Sequence, residues 1–168
     1  WQTHFTYSPV KNGGPEREIA PAEQATEGLL SPAELPPGRL FAVGRNRDDR
    51  RPCILRIEVE LVPGSGRATL LGLRTASVSS ALHAAYDHLR NRLSEYGVAT
   101  ASLDRDARVH ILNPMEASDP LGLGLGIFLA IASALRSTSV PPGLAVVGDM
   151  SVQGSVLAPD AVGEMVLL

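Results

Sequence analysis

The stretch that decides the fold is residues 119–126, DPLGLGLG, which opens an apolar run ending near Leu135. Aspartate is a favoured helix N-cap, and proline is favoured at the first helical position. We therefore predict that Asp119 caps a buried helix running from residue 120 to about residue 137, with Gly122 in its first turn. The run is shorter than the roughly 18 apolar residues that a membrane span requires.

The residues after this helix predict a break, two short strands and a tight turn. The segment VPPG at 140–143 interrupts the apolar pattern. Short apolar runs at 144–147 and 155–157 then flank the turn-forming residues GDMSVQG at 148–154. Helix, strand, turn and strand in this order are typical of the core of an α/β domain.

Upstream, alternating or apolar runs predict four further strands, at residues 40–43, 53–62, 68–73 and 108–113. A charged hairpin loop at 44–51 is expected to join the first two strands. The turn residues PGSG at 63–66 are expected to fold the second strand back directly onto the third. Residues 77–96 carry apolar side chains at helical spacing, and Gly97 ends that helix.

Composition favours one globular domain with an N-terminal extension. The chain of 168 residues is 44% hydrophobic with a net charge of −3, which gives no electrostatic case for wholesale binding to nucleic acid or membranes. Residues 1–37 are rich in proline, glycine and polar side chains, and they predict an arm or linker before a domain at 38–168. A docking arm held by its aromatic residues is the alternative. Cys53 is the only cysteine, so no internal disulfide is expected, and a cytoplasmic location is the default.

No residue pattern predicts a metal or cofactor in this domain. His83 and His88 lie five positions apart, so they do not share a helix face and do not form a metal-binding pair. The glycine-rich turn at 63–66 lacks the lysine and the following helix of a phosphate-binding loop.

Residues 118–124, with Ser133-Ala134-Leu135, Gly148-Asp149 and Gly154 downstream, resemble the proteolytic domain of Lon-type ATP-dependent proteases. The resemblance implies an α/β (α+β) fold of mixed β-sheets with packed helices. In that family an Asp-Gly-Pro-Ser-Ala-Gly loop carries the nucleophilic serine, and a later helix carries the catalytic lysine. The matching register places Gly122 at the serine position and Met165 at the lysine position.

A finer resemblance is to the C-terminal domain of BrxL, the Lon-like AAA+ protein of BREX phage-defence systems. It is carried by PPGRLFAV at 36–43, LRIEV at 55–59, the turn at 63–66 and VGDMSVQG at 147–154. It implies a longer parent protein whose ATPase part uses ATP and Mg²⁺. It also implies self-association into a ring, a DNA contact through the parent, and other defence-system proteins as partners, with no membrane.

The chemistry of a serine–lysine pair cannot operate with the residues at these two positions. Glycine has no nucleophilic atom, and methionine cannot accept a proton near neutral pH. Lys11 is the only lysine in the chain, and arginine stays protonated. We therefore expect a catalytically silent domain that acts in assembly or interaction. Its predicted helix N-terminus near Gly122 could still attract an anion.

Two alternatives remain open at this stage. Ser118 could act as a displaced nucleophile with His110 and Asp119, although a structural role explains His110 and a cap explains Asp119. A second question concerns the basic loop, defined as Arg45, Arg47, Arg50 and Arg51. It is either a solvated hairpin tip or a contact for DNA phosphates or an acidic neighbouring subunit.

Overall fold

The computed structural model describes residues 35–113, 115–159 and 163. The prediction of an arm or linker at residues 1–37 lies almost entirely outside the described residues. The assignment of Met165 also lies outside them.

The described residues form eight strands, two α-helices and one 3₁₀ helix. In chain order these are β1 (Arg39–Asn46), β2 (Pro52–Pro63), β3 (Ala68–Gly72), α1 (Ala76–Asn91), the 3₁₀ helix (Thr100–Asp104), β4 (Arg105–Leu112), β5 (Pro120–Leu121), α2 (Gly124–Arg136), β6 (Ala145–Val147), β7 (Asp149–Met150) and β8 (Val156–Leu157). In this part of the chain, neither α-helix has the length and apolar character needed to cross a bilayer.

Six of the strands form one mixed sheet in the order β3-β4-β2-β1-β5, and β6 pairs with β1 next to β5. β2 lies antiparallel to β1 and to β4, whereas β3 is parallel to β4 and β6 is parallel to β1. β7 and β8 form a separate antiparallel pair. This mixed sheet with packed helices confirms the α/β class predicted from the sequence.

The expected hairpin between β2 and β3 is wrong, because β4 lies between these two strands. β4 begins at Arg105, three residues earlier than predicted, and its Asp106 side chain holds the turn that follows β2. One Asp106 carboxylate oxygen accepts hydrogen bonds from the backbone N–H groups of Ser65 (2.8 Å) and Arg67 (2.9 Å). These backbone hydrogen bonds lower the pKa of Asp106. The turn therefore directs the chain away from β2 rather than back onto it.

The core lies between one face of the sheet and the two α-helices. Leu40 and Ala42 of β1 point into this core, together with Leu82 of α1 and Ile131 of α2. α2 approaches β1 so closely at Gly126 that a Cβ atom there would lie 2.9 Å from the Ala42 Cβ. The alternate β1 residues join a smaller cluster on the opposite face, built around Phe41, Val43 and Ile54. β1 is thus buried on both faces, as a central strand is expected to be.

The β7–β8 hairpin is anchored to α1 by the buried side chain of His88. Its Nδ1 lies 3.3 Å from the Val152 carbonyl oxygen, and its Nε2 lies 2.7 Å from the Tyr96 hydroxyl. Since the carbonyl can only accept, Nδ1 carries the proton and Nε2 accepts from Tyr96. The ring fits so tightly against Gly154 that a Cβ atom there would lie 2.2 Å from the His88 Cε1. This contact fixes the hairpin that contributes Asp149 to the site described next.

Candidate functional site

The predicted nucleophile loop and the basic loop lie side by side, because β5 pairs with the end of β1. Arg45 is opposite Leu121 and Asn46 is opposite Pro120 in this antiparallel pair. Nothing in the sequence indicated that these two loops are neighbours. The structure places them on the same edge of the sheet.

The prediction that Asp119 caps a helix starting at residue 120 is wrong. Residues 120 and 121 extend along β1, and α2 starts at Gly124 with Leu123 at its N-cap and no side-chain cap. One Asp119 carboxylate oxygen instead accepts from the Arg47 Nε (2.8 Å) and the Ser77 hydroxyl (3.1 Å). Ser77 lies in the first turn of α1, so the Asp119 charge is close to the N-terminus of α1, where the helix dipole favours an anion.

The three members of the alternative nucleophile arrangement have other partners. The Ser118 hydroxyl contacts the Asp48 carboxylate and lies 3.0 Å from the Asn46 side-chain oxygen. His110, on β4, packs against Gly72, where a Cβ atom would lie 2.7 Å from its Cδ2. Among the described residues, no hydrogen bond joins His110 to Ser118 or to Asp119.

Gly122 lies in the loop before α2, not in the first helical turn. Its φ angle is +80°, a left-handed conformation that residues with a side chain rarely adopt. Space is not the constraint, since the nearest described atom to a Cβ at this position is the Pro159 Cβ at 3.9 Å. A serine side chain would therefore fit, but its backbone would be strained.

The N-terminus of α2 already has a carboxylate beside it. A Cβ atom on Gly124 would lie 2.0 Å from an Asp149 carboxylate oxygen, so only glycine leaves room for Asp149 at this place. The same oxygen accepts from the Met150 backbone N–H at 3.0 Å. A negative charge at this end of a helix is stabilised by the exposed N–H groups and the dipole. The anion that the sequence led us to expect near Gly122 is thus supplied by the chain itself.

A groove of about 460 Å³ runs between the basic loop, the Gly122 loop and the end of β8. We call it the arginine groove, and its described lining residues are Arg45, Asn46, Arg47, Arg50, Leu121, Gly122, Asp149, Leu157, Ala158 and Pro159. The sequence identified the arginines and Gly122 as candidates. It missed the residues from the β7–β8 hairpin, although the Gly148-Asp149 pair was the available signal.

The four arginines of the basic loop differ in their contacts. Arg47 pairs with Asp119, and Arg51 lies 3.9 Å from the Asp49 carboxylate with both side chains largely exposed. The pKa of Asp49 is lowered, first by a hydrogen bond from the Arg51 backbone N–H. The Arg45 Nε donates to the Arg50 carbonyl oxygen at 2.7 Å. The Arg50 side chain makes no hydrogen bond or ion pair with another described residue.

No cluster of three or more metal-ligating side chains occurs within residues 35–113 and 115–159. The described residues that line the arginine groove offer guanidinium groups, one carboxylate, one side-chain amide and apolar side chains.

Comparison with known proteins gives one family. Residues 52–167 match the family described as the Lon protease (S16) C-terminal proteolytic domain. Lon protease 1 of Thermus thermophilus and the Lon protease of Methylocella silvestris are each 31% identical to this chain over 115 residues, and Lon protease 2 of Desulfotalea psychrophila is 30% identical. The matched segment covers 68% of this chain but only 14–15% of each curated relative.

Proposed function

Because the chain belongs to the family of the Lon protease C-terminal proteolytic domain, we propose that it is a catalytically silent member of that family. Its role is assembly or interaction within a longer, ATP-dependent protein of the BREX antiphage type. The proposal is carried by Gly122, which the sequence resemblance assigns to the position of the family's nucleophilic serine. Glycine supplies no oxygen to attack a peptide carbonyl.

The absence of a base supports the same proposal. A serine–lysine peptidase needs a lysine whose lowered pKa lets the neutral amine take the serine proton. The sequence contains no lysine after Lys11, so the segment that matches the family has none. Met165 stands at the lysine position of the register, and a thioether cannot take up the proton.

The backbone at residue 122 is a further support. With φ at +80°, Gly122 occupies a conformation that costs a residue with a side chain about 1–2 kcal/mol. A sequence that has lost the serine adopts such a loop without this cost, whereas one that retains the serine bears it.

The role in a larger assembly rests on the BrxL-like motifs at 36–43 and 147–154. We expect the longer protein to bind ATP and Mg²⁺ in its ATPase part, to form a ring of identical subunits and to contact DNA and other defence proteins. Light scattering on the longer protein, with and without this domain, tests the assembly role. An unchanged oligomer mass after removal of the domain would refute it.

The silence of the domain is tested with the purified chain. It should leave an unfolded protein and fluorogenic peptides intact, and a serine-directed fluorophosphonate should not label it. Ser118→Ala is the control for a displaced nucleophile. Weak cleavage that this substitution abolishes would show that Ser118 is the nucleophile and that the proposal is wrong.

The converse experiment restores the family residues with Gly122→Ser and Met165→Lys together. The left-handed backbone at residue 122 leads us to expect no activity from the pair and none from either change alone. Activity gained only by the pair would show that the loop can rearrange around a serine.

A further inference from the structure

The arginine groove contains a guanidinium group that the described structure does not engage. Arg47 is held by Asp119, but the exposed Arg50 side chain has no polar partner among the described residues. Arg45 is half-buried beside it and donates to the Arg50 carbonyl oxygen. Guanidinium groups bind carboxylates and phosphates through paired hydrogen bonds. An anionic group is therefore the ligand chemistry that this wall of the groove favours.

The backbone of Arg50 is itself unusual. Its φ angle is +61°, one of three positive values at non-glycine residues in the described chain. The conformation is held by hydrogen bonds from the Arg50 N–H to the Asn46 carbonyl oxygen (2.9 Å) and from Arg45 to the Arg50 carbonyl oxygen. Strained residues concentrate at binding sites, where the surrounding structure holds them in place. An arginine at this position is conformationally costly, so its side chain needs an explanation beyond solubility.

Part of the groove wall is apolar. Leu121 and Leu157 are 38% and 47% exposed, and they belong to the few large apolar side chains that the described surface exposes. Ala158 and Pro159 extend this wall. A ligand that fills the groove would thus meet both guanidinium groups and aliphatic carbon, which suits a segment that carries both a charge and apolar side chains.

The charges around the groove favour a carboxylate over a nucleic acid strand. Asp149 lines the groove, and Asp48 and Asp49 lie in the same loop as Arg50. A strand of consecutive phosphates would be repelled by these acids. None of the described lining residues is aromatic, so bases would lack a stacking platform. A single carboxylate flanked by apolar groups fits both the charge balance and the apolar wall.

We propose that the arginine groove binds a carboxylate-bearing apolar peptide segment, with Arg50 as the residue that selects the carboxylate and Leu121 and Leu157 contacting its apolar side chains. This inference rests on the proposed function in one respect, that the peptide is retained rather than cleaved. The carboxylate comes either from an acidic side chain or from a peptide C-terminus.

The test uses the full 168-residue chain and three fluorescein-labelled hexapeptides of leucine and glycine, followed by fluorescence anisotropy at low salt. One has a central glutamate and an amidated C-terminus, the second has glutamine instead, and the third has glutamine and a free C-terminus. A charge-assisted hydrogen bond predicts about tenfold or greater preference for a carboxylate over the amidated glutamine peptide. Preference for the first peptide identifies a side-chain carboxylate, and preference for the third identifies a C-terminal one.

Variants of the basic loop locate the selectivity. Arg50→Gly removes the guanidinium and relieves the left-handed strain, so the protein should fold at least as well while losing the tenfold preference. Arg50→Gln should lose it as well. Arg51→Gln is the matched control, because Arg51 belongs to the same loop but does not line the groove, and it should keep the preference.

Four results would overturn the inference. Three of them are no binding of any of the peptides, equal affinity for all three, and the same degree of preference in Arg51→Gln and Arg50→Gly. Arg50-dependent binding of a single-stranded oligonucleotide more tightly than any peptide would also overturn it, in favour of a nucleic-acid partner. Mass spectrometry of the recovered peptides separates this outcome from the proposed function. Cleaved peptide would refute silence but not binding, and intact, unbound peptide would refute only the binding.

Discussion

The N-terminus of α1 is capped by the side chain of the residue just before it, whereas the N-terminus of α2 is capped by residues from elsewhere in the domain. At α1, the Thr75 hydroxyl accepts from the Val78 backbone N–H at 3.2 Å. At α2, the N-cap Leu123 offers no such group, and the Leu125 N–H donates to the Gly148 carbonyl oxygen at 3.2 Å. Asp149 then packs against Gly124. A local cap can be read from neighbouring residues, but a tertiary one cannot, and the candidate site lies at the tertiary one.

The largest expected effect comes from disrupting the contact between Gly154 of the β7–β8 hairpin and His88 of α1. Gly154→Ala should lower the free energy of unfolding by about 2–4 kcal/mol, because the new Cβ overlaps His88 and φ is +90°. Urea denaturation measures this loss. Hydrogen exchange of the Leu125 amide should become faster than the loss of global stability alone explains. Exchange of the Val78 amide should change only as much as global stability does.

Gly143→Ala is the control for the cost of placing a side chain on a residue with positive φ. Gly143 also has a positive φ, +72°, but no described atom lies within 4 Å of its Cβ position. Its cost should be about 1 kcal/mol. Equal losses for Gly143→Ala and Gly154→Ala would show that the His88 contact does not hold the hairpin.

The local cap should respond to a single substitution. Thr75→Ala should cost about 1 kcal/mol, since the Val78 N–H loses its acceptor. Thr75→Ser keeps the hydroxyl and should cost much less. Denaturant unfolding measures both changes, and a loss from Thr75→Ser as large as that from Thr75→Ala would argue against capping.

A smaller effect tests the ion pair that Asp119 makes in place of the predicted helix cap. If its partner is Arg47, the changes Asp119→Asn and Arg47→Gln should be non-additive by about 0.5–1 kcal/mol in a double-mutant cycle. The estimate is low because the Arg47 side chain is 57% exposed. Strict additivity would mean that the ion pair contributes nothing to stability.

The smallest effect concerns Asp106, a carboxylate in β4 that accepts hydrogen bonds from the turn after β2. Its folded-state pKa is lowered, so its contribution to stability is present above the unfolded pKa of about 3.9 and is lost as pH falls through the lower, folded value. Asp106→Asn should therefore be less stable than the parent chain at neutral pH, and the gap should narrow below about pH 4. A gap that stays constant down to pH 2 would contradict this assignment.

Periodicity in the sequence predicted the elements better than it predicted their neighbours. The alternation in β2 and the helical spacing in α1 reflect burial of one face of each element. That burial is visible in the local sequence of the element itself. β3 pairs with β4, and the turn that leads into β3 is held by Asp106 of β4, about 40 residues later in the chain. No local pattern could place β4 between β2 and β3.

At the candidate site, too, the sequence predicted local features better than contacts between distant segments. The sequence identified Gly122 and the four arginines, because an absent side chain and a cluster of like residues are visible in the letters. It mistook Asp119 for a cap, since Asp-Pro before an apolar run has the local form of a helix start. The pairing of residues 120–121 with β1 overrode that preference. The contribution of β8 to the groove was hidden because it requires the hairpin to fold back across α2.

The position of β1 between β2 on one side and β5 and β6 on the other has a consequence during synthesis. β1 carries a run of five buried residues, and its parallel neighbour β6 is translated roughly 100 residues later. At a translation rate of about 5–20 residues per second, the backbone groups on one edge of β1 lack their β6 hydrogen-bond partners for about 5–20 s. An apolar strand with an open edge is a template for wrong pairing. Nascent chains stalled between residues 113 and 145 should therefore need chaperones more than chains released after β6 has emerged.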